Sequence, residues 1–139
     1  MTSPKAIISK IPPPLSIVET PSILTDRFYF RSKNSFKIVL IADIRHIEAK
    51  KSYLDLYTTG GIYRSLPLKL KSFSEQMSHP LLLRIHRSHI INVLHVDSFM
   101  KSAVQINVNG DIIKIPIGTT YQEDVFSFLV SNMQRLMMD

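Results

Sequence analysis

From Asp26 onward the chain is a succession of short runs in which apolar and polar side chains alternate, each closed by turn-forming residues. A period of two puts successive side chains on opposite faces of an extended backbone, so this pattern buries one face of a strand rather than one stripe of a helix. Phe28-Tyr29-Phe30-Arg31 and Phe36-Lys37-Ile38-Val39-Leu40 flank Ser32-Lys33-Asn34-Ser35 and predict a hairpin. Ala42-Asp43-Ile44 predicts a turn. Residues 44–49 and 53–58 alternate on either side of Lys50-Lys51-Ser52, and Thr59-Gly60-Gly61 turns the chain into a short strand over 62–65. Further strands are expected over 81–85, 90–93 and 96–100. Residues 103–108 and 111–115 flank Asn109-Gly110, the strongest short hairpin signal in the chain.

Two stretches break this period. Leu66, Leu70, Phe73 and Met77 fall on one helical face; Pro67 suits a first turn and His79-Pro80 a stop, predicting a short helix over 67–77. Thr120-Tyr121-Gln122-Glu123 has the form of a capping box. It opens a second helix that carries Val125, Phe126, Leu129, Val130, Met133 and Met137 on one broad face. The fold class that follows is mainly β, with about ten short antiparallel strands, one inserted helix and a C-terminal helix. Residues 1–25 differ: they hold five of the eight prolines, which remove backbone donors and fix φ. They are expected to form a proline-rich arm or linker, with the domain over 26–130 and the end of the last helix or a tail over 131–139.

Composition narrows the chemistry. The absence of cysteine excludes disulfides, thiolate metal sites and a cysteine nucleophile, and fits a reducing cytoplasm. No run approaches the roughly 18 apolar residues of a membrane span, and Ala6-Ile7-Ile8 is too short for a signal peptide, so no membrane partner and a cytoplasmic location are expected. The formal net charge is +6. Residues 26–121 concentrate it, with six arginines and eight lysines against seven carboxylates, a net of +7. A basic domain of this size attracts polyanions, although excess lysines also simply solvate surfaces.

Three polar clusters interrupt the strands. Arg84-Ile85-His86-Arg87-Ser88-His89 sets two imidazoles, guanidinium groups and a hydroxyl between apolar runs, where a buried loop would not choose them. Arg reads guanine in the major groove, and Ser and His bond to bases or phosphates; alternation would place Arg84 and His86 on the same face. Lys50-Lys51-Ser52-Tyr53 suits phosphate contact, and Gly118-Thr119-Thr120-Tyr121 precedes a helix N-terminus, where phosphate is well received. Each cluster has a plainer reading: a solvated loop, a turn with Tyr53 tucked inward, or ordinary helix capping. His86, His89 and His95 lack the Cys or carboxylate neighbours of a metal site, Asp97 alone being near, so no metal is expected. No catalytic motif, nucleotide loop or paired carboxylates occur in the sequence, and neither an enzyme nor a cofactor is expected.

Together these blocks resemble a known family. Asp43-Ile44-Arg45-His46-Ile47-Glu48-Ala49 followed by Ser52-Tyr53-Leu54 looks like the opening strands of the LytTR DNA-binding domain. Residues 84–92 are similar to that family's central motif, and Ile115-Pro116-Ile117-Gly118 with Tyr121 resembles its closing motif. The three blocks follow in order at fitting separations over about residues 26–130. The resemblance implies an elongated array of small antiparallel sheets whose loops enter successive major grooves of double-stranded DNA. It implies DNA contacts from Lys50, Lys51, Ser52 and Tyr53, from His86, Arg87, Ser88 and His89, and from Thr119 and Thr120. The third loop often carries Arg or Lys in the family; here it is uncharged, which implies a different preferred sequence. Asn92 matches a position expected to hold the loop by hydrogen bonds to backbone.

The resemblance further implies paired repeat sites and a homodimer on DNA. Many family members carry an N-terminal receiver domain where this sequence has the proline-rich arm, so the chain is either a stand-alone regulator or a piece of a longer one, and a receiver or sensor partner acting in trans is a further expectation. Two rival readings stand beside a transcription regulator. One is a protein-interaction module docking through the C-terminal helix (Phe126, Leu129, Met133, Met137) or the N-terminal arm. The other is a hydrolase that recruits a metal at the histidine loop.

Overall fold

The computed structural model describes residues 24–139; the expectation for a proline-rich arm falls almost wholly outside them. The elements run β1 (Arg27–Ser32), β2 (Ser35–Leu40), β3 (Ile44–Lys50), β4 (Tyr53–Thr58), β5 (Gly61–Leu66), α1 (Leu70–Gln76), β6 (Leu82–His86), β7 (His89–Asn92), β8 (Val96–Phe99), β9 (Ala103–Val108), β10 (Asp111–Pro116) and α2 (Gln122–Ser131). Short 3-10 turns occupy Ile41–Asp43, Val93–His95 and Thr119–Tyr121. The ten strands form three antiparallel sheets: a β1-β2 hairpin, a central sheet of order β5-β4-β3-β7-β6, and a three-stranded sheet of order β10-β9-β8. This is the mainly β array of small sheets with two helices that the sequence predicts.

The two-residue hairpin at Asn109-Gly110 has the backbone its sequence asks for, with φ of 54° and 92°. Asn tolerates the left-handed region and Gly enters it without steric cost, so the twist of the turn matches that of the flanking strands. The pairing Asp111 to Val108 then sets every later pair in the hairpin, and Ile115 and Val104 meet on the buried face.

The central sheet is a wall between two cores. On one side Ile44, Ile47, Leu54, Leu56 and Ile90 pack with Val39 of β2 and with Leu70 and Phe73 of α1. On the other, Ile85 and Ile91 pack with Val104, Ile106 and Ile115 of the three-stranded sheet and with Val125 and Leu129 of α2. The neighbours Ile90 and Ile91 therefore serve opposite cores, as a pleated strand requires. A strand covered on both faces loses polar alternation, which is why β7 reads as His-Ile-Ile-Asn.

Three local expectations are corrected. The first helix is Leu70–Gln76 rather than 67–77. Ser65 takes a φ of +57° and the Leu68 N–H donates to the Leu66 carbonyl over 2.8 Å, so Pro67 lies in a tight turn ahead of the helix. No capping box forms: Thr119–Tyr121 is a 3-10 turn, and neither it nor α2 has a side-chain cap. Finally, α2 ends at Ser131, where Asn132 folds its amide back onto the Phe128 carbonyl at 2.8 Å. Met133 and Met137 lie beyond the helix and are exposed, so the long apolar face drawn through them does not form. Of what remains of it, Val125 and Leu129 are core, Phe126 is half-buried and Val130 is exposed.

Candidate nucleic-acid interface

The β3-β4, β6-β7 and β10-α2 connections come from distant parts of the sequence, yet backbone hydrogen bonds tie them side by side. The Ala49 N–H donates to the Ser88 carbonyl over 2.8 Å, joining the first connection to the second. The Gly118 N–H donates to the Ile85 carbonyl over 2.8 Å, joining the third to the second. The tertiary structure thus brings all three sequence-predicted clusters to one edge. Gly118 is small for a reason: a β-carbon there would stand 3.1 Å from the Tyr121 ring and 3.5 Å from His86 Cδ2.

In the first connection Lys51 takes a φ of +57°, the sharp turn of a tight hairpin. Lys50, Lys51, Ser52 and Tyr53 are all exposed, and Tyr53 is not tucked inward. The two lysines are not equivalent. Lys50 Nζ lies 3.7 Å from the carboxylate of buried Asp55, which also lies 3.6 Å from Arg64 and accepts the Ser65 N–H at 2.9 Å. Lys51 has no ion-pair partner among the described residues.

The second connection is braced from within. Arg84 donates from Nε to the His86 carbonyl at 3.2 Å and from Nη2 to the Arg87 carbonyl at 2.8 Å. Its guanidinium is thereby spent on holding the loop. The expectation that Arg84 and His86 share a face is overturned by the register. Arg84 pairs with Ile90 and His86 with His89, so Ile85 is an extra residue, a β-bulge. Cross-strand partners share a face and His89 and Ile90 do not, so Arg84 and His86 are on opposite faces.

His86 Nδ1 accepts the Ser88 N–H at 3.0 Å, which leaves Nε2 as the donor of the neutral ring. His89 lies with its ring centroid 5.1 Å from that of His86, and burial, helped by His86 and opposed by Glu48, pushes its pKa below the ordinary histidine value. Among the four residues of this connection Arg87 is the exposed one, and its side chain has no ion-pair partner among the described residues.

In the third connection Thr119 and Thr120 are exposed on the 3-10 turn. The first turn of α2 already carries Glu123 and Asp124, which complement the helix dipole and would repel a phosphate, so the hydroxyls rather than the helix terminus are the available groups. The sequence reading did not single out a cation on the neighbouring turn. The Ile117 N–H donates to the Ser102 carbonyl at 2.9 Å, and this brings the β8-β9 turn and its Lys101 alongside the uncharged loop. Lys101 Nζ sits 5.7 Å from the centre of the Phe126 ring. A basic residue at a turn between two predicted strands was the signal available for it.

Asn92 is wholly buried and donates to the carbonyls of Ile41 and Ile44, while its Oδ1 accepts the Leu94 N–H at 2.9 Å. The segment it holds is the Ile41–Asp43 turn at the opposite end of β3 from the three loops. No group of three or more His, Asp and Glu side chains that could hold a metal occurs among the described residues, and no helix among them is long and apolar enough to cross a membrane.

Comparison with known proteins accords with this geometry. No curated protein matched the chain. Among solved structures, the fold is similar to the LytTr DNA-binding domain of a Bacillus cereus protein inferred to be a methyl-accepting/DNA response regulator, at 17% identity and a TM-score of 0.60, over 76% of this chain and 97% of that one. The family model for the LytTr DNA-binding domain matches residues 34–129. The chain belongs to the LytTR family of DNA-binding domains.

Proposed function

We propose that this protein is a transcription regulator that reads double-stranded DNA by inserting the three aligned loops into successive major grooves. The observation that carries the reading is the pair of hydrogen bonds, Ala49 to Ser88 and Gly118 to Ile85, which set the three polar connections on one edge. On that edge Lys51 and Arg87 are exposed cations free of carboxylate partners among the described residues, suited to phosphate and to guanine respectively. Lys50, Ser52, Tyr53, His86, Ser88, His89, Thr119 and Thr120 complete the contact set, with Lys101 of the adjoining β8-β9 turn adding charge that the third loop lacks. Paired repeat sites, a homodimer assembled on them and a receiver or sensor partner in trans belong to the same proposal.

The test is fluorescence anisotropy of labelled duplexes from the region upstream of the protein's own gene, at two salt concentrations with random DNA as competitor. Tight binding that survives competitor supports sequence-specific recognition. Weak binding that competitor abolishes overturns it and leaves a basic domain with general affinity for polyanions. Of the helical anchor in the rival interaction reading, Leu129 is in the core and Met133 and Met137 lie beyond the helix, which leaves Phe126 half-buried on α2.

A further inference from the structure

The end of β3 remote from the three loops holds a second polar arrangement, with no part in the DNA reading. Ile44 pairs with Thr58 and His46 with Tyr57, so Arg45 is an extra residue in the strand. A β-bulge of this kind turns two successive side chains to one face. Ile44 and Ile47 stay in the first core while Arg45 and His46 both turn the other way, into a cleft between the central sheet and the β9-β10 hairpin. The cleft has a volume of about 390 Å³, within the range of small-ligand sites, and Tyr57, Ile62, Val108 and Ile113 supply apolar walls and the Thr58 to Gly61 turn a polar one.

Arg45 is 91% buried, being 9% exposed, and has no ion-pair partner among the described residues. Its Nη2 donates to Asn109 Oδ1 at 3.1 Å, but its Nε–H is buried with no acceptor. His46, 7% exposed, stacks on Tyr57 with ring centroids 4.2 Å apart, and its Nδ1 is likewise buried without a partner. A buried cation with an unmet donor is costly unless an anion satisfies it. Two nine-tenths-buried side chains with unmet nitrogens thus line one cleft with apolar walls.

We propose that this cleft is a binding site for a small organic carboxylate, its carboxylate group accepting from the Arg45 guanidinium and from the His46 ring and its apolar body lying against Tyr57, Ile62 and Ile113. Guanidinium is the side chain best matched to a carboxylate, and the walls favour an anion with an apolar body over a fully hydrated one. The site joins two sheets, since Asn109 belongs to the hairpin and Arg45 to the central sheet, so an occupant would bear on how the third sheet is set against the other two.

The experiment is a titration of the full chain, without DNA, with benzoate, butyrate and inorganic phosphate, followed by calorimetry and by amide chemical shifts. The expected result is saturable one-to-one binding of benzoate, with shifts at residues 45–46, 57–62 and 108–113 and none at 86–88. Arg45→Met should weaken it by about ten- to a hundredfold, the worth of one charged hydrogen bond. Should Arg45→Met fail to fold, Ile113→Trp, which narrows the cleft from its half-exposed wall, should weaken benzoate binding while leaving thermal stability near that of the parent. No saturable binding up to about 10 mM, a level at which even a weak specific site would fill, overturns the proposal. Shifts confined to the lysine and arginine loops overturn it equally, as does phosphate binding in preference to benzoate.

Discussion

The side-chain amide of Asn92 donates to the carbonyl oxygen of Ile44, 48 residues earlier, at 2.9 Å. The same nitrogen reaches the Ile41 carbonyl at 2.8 Å, so one buried side chain fastens the entry of β3 to the exit of β7. Asn92→Ala would leave those two carbonyls and the Leu94 N–H unpaired inside the protein, at an expected cost of about 3 kcal/mol. Urea denaturation measures this. A loss under about 1 kcal/mol would mean that water reaches the carbonyls once the side chain is gone.

Arg87 and Arg84 make a contrasting pair three residues apart. Arg87→Ala should leave folding stability unchanged within about 0.5 kcal/mol, because its side chain is exposed, and should cost about 1–3 kcal/mol of DNA affinity with relaxed preference at one base pair. Arg84→Ala should lower both, since it removes the two hydrogen bonds that brace the loop. Equal losses on every DNA sequence would reassign Arg87 to phosphate contact.

The two lysines of the first loop should separate in salt titrations. Lys51→Ala should reduce the slope of log affinity against log salt by about 0.9, the release of one counterion. Lys50→Ala should change the slope less, because Asp55 at 3.7 Å already compensates its charge. Identical slopes for the two variants would show that the ion pair opens when DNA arrives.

Stability should fall in mild acid through His46. Burial, aided by His89 and Arg45, lowers its pKa from 6.5 to about 4. The folded state therefore resists a proton that the unfolded chain accepts. The stability this neutral ring contributes is complete above pH 6.5 and is lost progressively as the pH falls to about 4, to the extent of about 3 kcal/mol. His46→Phe keeps an aromatic ring against Tyr57 and cannot titrate, so its stability profile should be flatter over that window. Parallel profiles for parent and variant, in denaturation at several pH values, would count against this assignment.

The second helix is expected to divide sharply. Leu129→Ala should cost about 2–5 kcal/mol by emptying part of the second core. Removing residues 133–139 should leave the melting temperature almost unchanged, because all of them are exposed and Asn132 still closes the helix. A large loss on truncation would place an interface at Met133 or Met137.

The sequence by itself determined what depends on neighbours along the chain. Alternation in 44–49 and 53–58, the Asn109-Gly110 turn and the apolar spacing from Leu66 to Met77 each record a local backbone preference, so the strands, their hairpins and both helices were legible. So were the three polar clusters, because solvated loops select residues that cores reject. Tertiary structure decided everything that depends on register. An extra residue at Ile85 put Arg84 and His86 on opposite faces, and one at Arg45 turned a guanidinium inward beside His46. Neither bulge has a local signature, since it is the partner strand that fixes which residue goes unpaired. Likewise the β8-β9 turn that carries Lys101 meets the third loop through the Ile117 to Ser102 hydrogen bond, and Asn92 finds its acceptors 51 and 48 residues away. Side-chain periodicity says which face a residue prefers; only the pairing of distant strands says what waits on that face.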